Sequence, residues 1–277
     1  INRLASQIRL GLLVVQPDTI DFFDRQLAAP ANIWVKIDVG TRRTGILPTD
    51  EATLETVFAK IERAPRLRFR GFLAHAGHTY AARSKAEIQK IHEETTTILK
   101  DLKARYRARF PDLEISTGDT PSCSVAEGWE DVDEMRPGNF VFYDLMQVQI
   151  GACRPEDIAV ALAAPVVAKH ADRQEIVVYG GGIHLSKDRL TTAGGQACFG
   201  WPVRLNANGW ERPDGESFVK SLSQEHGVVK CAPAFFERVR VGDVIGILPV
   251  HSCMMVDLFA RYVDVHGGRI EKFVFGK

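Results

Sequence analysis

Across its first 143 residues the chain alternates short apolar runs with amphipathic stretches, and few folds accommodate that rhythm. Leu10–Val15 (LGLLVV), Ile33–Val39 (IWVKIDV), Leu67–His75, Leu113–Thr117 and Asn139–Tyr143 read as strands. Thr19–Leu27, Thr49–Ala64 and Ser84–Arg107 read as the helices between them. Asp18 or Thr19 is placed to cap the first helix, and Glu51 and Glu55 lie near the positive end of the second. Strand, helix, strand in succession builds parallel β/α units, and strands apolar on both faces need helices covering the sheet. A (β/α)8 barrel or an open five-stranded sheet would satisfy this. A barrel needs eight strands and roughly 250 residues, so about three units would precede Ile1.

After Ile150 the pattern changes. Ile158–Lys169, Glu175–Tyr179, Ser217–Leu222, Gly227–Cys231, Asp243–Leu248 and Arg269–Val274 are short strand-like segments, many of them separated by Gly and Pro clusters. They predict a β-rich second domain, with residues 1–150 in the first and 151–277 in the second, whose C-terminal end is free to return to the first.

Lys plus Arg equals Asp plus Glu at 35 each, which offers no basic footprint for nucleic acid or a membrane surface. No run of 18 apolar residues occurs, so no membrane span is predicted. The start lacks a signal-peptide pattern. Five scattered Cys, without a CxxC pair, argue against a disulfide framework and for a reducing cytoplasm. The expected ligand is a small molecule.

Five motifs have residues suited to chemistry. IDVGTRRTGI (37–46) puts Arg43 just after a strand end, where a guanidinium can hold an oxyanion or simply face water. FLAHAGHTY (72–80) offers His75, His78 and Tyr80 to a metal or a flat ring, or to loop structure. STGDTPSCS (116–124) combines Gly118, Thr120 and Ser122 in a loop suited to phosphate or to an ordinary helix cap. EMRPGNFVFYD (134–144) carries Gly138, which permits close backbone approach or makes a plain Pro–Gly turn. LPVHSCMMVD (248–257) spaces His251 and Cys253 by two. On an extended strand both would point the same way, and imidazole with thiolate suits zinc. A buried Cys beside a structural His fits the same letters.

In this order the motifs resemble the D-serine dehydratase and D-threonine aldolase-like branch of the fold type III (alanine racemase-type) pyridoxal-phosphate enzymes. HAGHTY, STGDTPS, RPGNFVFYD, SQEHG and PVHSC carry the likeness, which covers essentially the whole chain. The resemblance implies a TIM-type barrel that binds pyridoxal 5'-phosphate, followed by a β-rich domain bearing a metal. It matches Arg43 to the cofactor's phenolic oxygen, and His75 and Tyr80 to its ring. It matches Gly118, Thr120, Gly138 and Asn139 to the phosphate, and Arg136 to the pyridine nitrogen. It matches His251 and Cys253 to zinc or another divalent ion.

The family's Schiff-base lysine lies on an early strand, and Lys36 occupies the wrong one. With a first residue that is not Met, the resemblance implies that the lysine and the first strands lie upstream of Ile1. The implied activity is a lyase acting on D-β-hydroxy amino acids, chiefly conversion of D-serine to pyruvate and ammonia. Retro-aldol cleavage of D-threonine is the alternative, ahead of a racemase or a non-catalytic pyridoxal-phosphate-binding protein. A homodimer is also implied. No role is assigned to His184 in GGGIHLSKD or to Glu225 and His226 in SQEHG.

Overall fold

Five parallel strands follow one another in space as they do in sequence: β1 (Gly11–Val14), β2 (Ala31–Lys36), β3 (Leu67–Leu73), β4 (Glu114–Thr117) and β5 (Glu134–Met135). The computed structural model describes residues 1–272. Contacts divide the chain into two units, one from Ile1 to Gly138 and one from Asn139 onward.

In the first unit a short helix α1 (Asn2–Ala5) precedes β1, and α2 (Pro17–Gln26), α3 (Glu51–Arg63) and α4 (Lys85–Tyr106) connect the strands. Helix α2 starts before either expected cap. Pro17, whose fixed φ suits a first helical turn, follows Gln16, and Asp18 lies inside that turn. Asp50 caps α3 by accepting from the Thr53 N–H at 3.1 Å, and Ser84 caps α4 by accepting from the Glu87 N–H at 3.2 Å. The faces of α3 and α4 that bury Leu54, Phe58, Ile61, Leu99 and Leu102 cover the sheet. At the centre, Phe58 meets Phe69, Tyr106 and Phe110 with ring centroids 4.8 to 5.1 Å apart and Phe72 at 6.2 Å.

The expected fifth strand at 139–143 does not form. Residues 139–141 make a 3-10 turn, and the chain's fifth strand is Glu134–Met135. The Asn139 carbonyl accepts from the N–H groups of Phe142 and Tyr143, and Tyr143 adopts a φ of 49°, which no strand tolerates.

Residues 139–150 pack with the second unit, ahead of the expected break at 150. Asp144 caps α6 (Leu145–Gln149), and the Met146 N–H donates to the Val250 carbonyl at 3.2 Å. The short α5 (Thr120–Val125) belongs to the first unit.

The second unit is built on a seven-stranded antiparallel sheet in the order β11-β10-β14-β6-β7-β13-β12. Its strands are β6 (Leu162–His170), β7 (Glu175–Tyr179), β10 (Gly200–Asn206), β11 (Gly209–Trp210), β12 (Phe218–Leu222), β13 (His226–Lys230) and β14 (Val244–Pro249). The helices are α7 (Gly182–Leu185), α8 (Pro233–Arg238) and α9 (Ser252–Asp257). Two small pairs complete it: β8 (Leu190–Thr191) with β9 (Ala197–Cys198), and β15 (Arg261–Val263) with β16 (Arg269–Glu271). The end of the segment expected at Arg269–Val274 lies outside the described residues.

Strand β10 escaped the sequence reading because Pro202 interrupts its pattern. Beyond β14, it has strand pairing only at Leu205 and Asn206, so the missing N–H at 202 costs no ladder bond on that outer side. Among the described residues no helix is long and apolar enough to cross a membrane.

Candidate functional site

In the first unit the motif residues gather where the parallel strands end, the edge at which α/β folds hold their ligands. The loop after β2 is closed by Asp38 N–H to Ile46 carbonyl and Ile46 N–H to Lys36 carbonyl bonds, both 2.9 Å. Asp38 accepts from the N–H groups of Gly40 and Arg42 at 3.0 Å, which fixes the turn presenting exposed Arg43. Thr41 stitches this loop to the next. Its hydroxyl donates to the His75 carbonyl and accepts from the Gly77 N–H, both at 2.8 Å.

His75 Nδ1 lies 3.1 Å from the Gly118 carbonyl, so that nitrogen carries the proton. The Tyr80 ring centroid is 6.5 Å from that of His75. Gly118 is required by close approach, since a Cβ there would stand 2.5 Å from the Arg136 backbone nitrogen. Arg136 donates from Nε to Ser116 Oγ at 2.7 Å, and from Nη2 to the carbonyls of Ala74 at 2.7 Å and Ser116 at 3.0 Å. Its bonds therefore run across the ends of β3 and β4. Lys36, 7% exposed, has its pKa lowered by burial first, then by Arg43 and Arg136, with Asp38 opposing. Three cationic side chains thus converge on one sheet edge, which suits an anionic ligand. Gly138 closes the unit with open space where a Cβ would stand.

Thr120 opens α5 and is fully buried. Asp119, which the sequence reading passed over, organises this loop. Its Oδ1 accepts from the Ser122 N–H at 2.9 Å and lies 2.7 Å from the Thr79 hydroxyl. An Asp three residues before Ser122, with Pro121 in the first turn, is a cap signature the sequence did contain. Ser122 Oγ is buried without a hydrogen-bond partner among the described residues, so the loop retains donor capacity that a phosphate oxygen would satisfy. Asp119→Ala is expected to lower stability by about 1–2 kcal/mol through the lost cap, since the Thr79 hydroxyl keeps the Ala76 carbonyl as an acceptor at 2.9 Å. Asp119→Asn should recover part of this in a urea titration.

In the second unit His251 and Cys253 come together, though not along a strand as expected. His251 follows β14 and is the N-cap of α9, so Cys253 lies in the first helical turn. His251 Nδ1 is 2.9 Å from Asp188 Oδ2. Hydrogen bonding to Cys253, then the charge of Asp144 and hydrogen bonding to Asp188, push the imidazole up to about 9 against the opposing effect of burial. An ion binding this ring at neutral pH would displace a proton.

Between the two ligand candidates, the Ser252 N–H donates to Asp144 Oδ2 at 2.9 Å. The same oxygen accepts from Asn139 Nδ2 at 2.6 Å, while Asn139 Oδ1 lies 3.2 Å from Ser252 Oγ. Asn139, matched at first to a phosphate through its backbone, therefore has its side chain committed to bracing the HSC turn. Among the described residues no group of three or more His, Cys, Asp or Glu that could hold a metal is found.

The GGGIHLSKD and SQEHG motifs pack on one another. A Cβ at Gly181 would stand 2.4 Å from the Gln224 carbonyl, and the Gly182 N–H donates to the Ser223 carbonyl at 2.9 Å. His184 Nδ1 accepts from the Gly181 N–H at 3.2 Å, and its ring faces Tyr179 and Phe259.

A family model described as "Alanine racemase, N-terminal domain" matches residues 2–145, and one described as "Putative serine dehydratase domain" matches residues 159–265. The chain is 28% identical over 243 residues to a D-serine dehydratase of Dictyostelium discoideum, covering 83% of this chain and 60% of that protein. It is 29% identical over 256 residues to the D-threo-3-hydroxyaspartate dehydratase of Delftia sp. HT23, covering 90% of this chain and 66% of that one. The solved structure of the Delftia enzyme superposes with a TM-score of 0.82 at 27% identity, over 95% of this chain and 71% of that chain. Variants of that enzyme have also been solved. One replaces a histidine by alanine, and another replaces the cysteine two positions later and is described as the metal-free form. D-threonine aldolase from Filomicrobium marinum shares the fold, with a TM-score of 0.74 at 20% identity over 95% of this chain and 67% of that one. The chain thus spans 60 to 66% of the length of its first two dehydratase relatives.

Proposed function

Since the chain belongs to the alanine racemase N-terminal domain family, we propose that it serves a pyridoxal-phosphate- and zinc-dependent lyase acting on D-β-hydroxy amino acids, D-serine first. The observation that carries this reading is the pairing of His251 with Cys253 inside the segment matched by the serine dehydratase model. A soft thiolate beside an imidazole, with a carboxylate on the far ring nitrogen, is a donor set that fits zinc. The Delftia enzyme supports it, because loss of a cysteine at the same spacing accompanies its metal-free form.

The strand-end loops of the first unit fit the phosphorylated cofactor. Gly118, Thr120 and the buried Ser122 hydroxyl would hold the phosphate, and Asp119 keeps their loop in shape. His75 and Tyr80 would flank the ring, and Arg43 would meet its phenolic oxygen. Arg136 would act chiefly by bracing the strand ends, since Ser116 and Ala74 already engage it. When bound, the cofactor supplies an electron sink for charge left at Cα, and the ion supplies Lewis acidity toward the β-hydroxyl. The protein's part is to fix the ion's ligands, to hold the phosphate on the loop shaped by Asp119 and to set Arg43 against the ring's phenolic oxygen. The reading includes a homodimer in the cytoplasm.

Purified full-length protein supplied with pyridoxal phosphate and zinc, then given D-serine and D-threonine separately, decides the reaction. Pyruvate and ammonia from D-serine are the expected products. Glycine and acetaldehyde from D-threonine, without pyruvate from D-serine, would replace the dehydratase reading by the aldolase one.

A further inference from the structure

The carboxylate of Asp188 ends the GGGIHLSKD segment, and it lies on the ring of the proposed ligand His251. We propose that Asp188 is a positioning residue for the metal pair: it holds the proton on His251 Nδ1, so that Nε2 presents its lone pair beside the Cys253 sulfur. The proposal rests on the metal reading above.

Three observations carry it. His251 Nδ1 and Asp188 Oδ2 are 2.9 Å apart, and both side chains are partly shielded, at 31% and 40% exposure. Imidazole has two chemically distinct nitrogens, and a carboxylate on one selects the tautomer that leaves the other to an ion. Second, the turn delivering Asp188 is built under strain. Ser186 has φ 66° and ψ −169°, a conformation open essentially to glycine alone, and its hydroxyl accepts from the Asp188 N–H at 3.2 Å. Third, the opposite side of the metal pair is already pinned. Asp144, fully buried, accepts from the Ser252 N–H, which fixes the backbone between the ligands and leaves the imidazole's rotation as the remaining freedom. Asp188 removes that freedom.

The test measures zinc affinity of the full-length protein by competition with a chromogenic chelator, for wild type, Asp188→Ala, Asp188→Asn and His251→Ala. Unfolding midpoints in EDTA are recorded for each. Loss of the carboxylate in Asp188→Ala is expected to weaken zinc binding about 10- to 100-fold with the EDTA midpoint unchanged. Asp188→Asn, whose amide oxygen can accept the same proton, should regain part of the loss. Wild-type affinity in Asp188→Ala, with binding lost in His251→Ala, overturns the positioning role and leaves the metal reading intact. Wild-type affinity in His251→Ala overturns both. An Asp188→Ala midpoint that falls in EDTA along with affinity makes the residue structural and overturns the proposal. Should the alanine variant not fold, wild-type affinity in Asp188→Asn does the same.

Discussion

A Cys253→Ala variant is expected to purify without zinc and to retain about one-thousandth of the D-serine elimination rate. Lewis-acid assistance to a departing hydroxide contributes several kcal/mol, and about 4 kcal/mol corresponds to roughly a thousandfold. His251→Ala should fall equally far, and the double variant little further, if the two side chains hold one ion as proposed. Cys253 is exposed, so its truncation should barely change stability. The visible absorbance of bound pyridoxal phosphate should persist, since its proposed anchors lie among residues 43–122. Pyruvate formation, metal analysis and absorbance spectra on the same preparations check each point. A zinc-free Cys253→Ala protein with full activity would sink the metal role altogether.

Phe58→Ala is expected to destabilise the first unit by about 3–5 kcal/mol, enough to raise its unfolded fraction by roughly two to nearly four orders of magnitude. Phe58 is 0% exposed and touches four aromatic rings from β3, α4 and the segment after α4. Its removal leaves a ring-sized cavity that this rigid cluster cannot close, and it also forfeits the edge-to-face contacts. Urea titration with hydrogen exchange on β2 and β3 amides would assign the loss to this unit. Phe22→Ala, at a 52% exposed position, provides the comparison and should change stability by less than about 0.5 kcal/mol. A Phe58→Ala loss below about 1 kcal/mol would show that the cluster is not the core's keystone.

The strands of the first unit were legible because each is a short apolar run bounded by polar turns, and the ends of β1, β3 and β4 fell close to expectation. The fifth strand was misplaced because NFVFY has strand-like letters while Asn139 bonds locally with Asp144. Propensity lost there to a side-chain network. The His251–Cys253 pair was legible as chemistry but not as conformation, since a two-residue spacing meets on one ion from a strand or from a helix start alike. The links from Asp188 to His251 and from Asp144 to Ser252 were not legible, although the Asp144 cap on Gln147 is local. The linked residues lie 63 and 108 positions apart, and no local pattern encodes such a meeting. Asp119 sits between these cases. Its cap signature is local, but its second partner, Thr79, is 40 positions away.

The bonds joining Asn139 and Asp144 to Ser252 span 113 and 108 residues, nearly the whole second unit. Such closures are entropically late, and a ribosome delivers the N-terminal partner many seconds before the C-terminal one, at about 5–20 residues per second. The nascent chain therefore cannot brace this turn until Ser252 emerges, after every strand of the seven-stranded sheet has been made, so the two ligand candidates are fixed only on a sheet already synthesised.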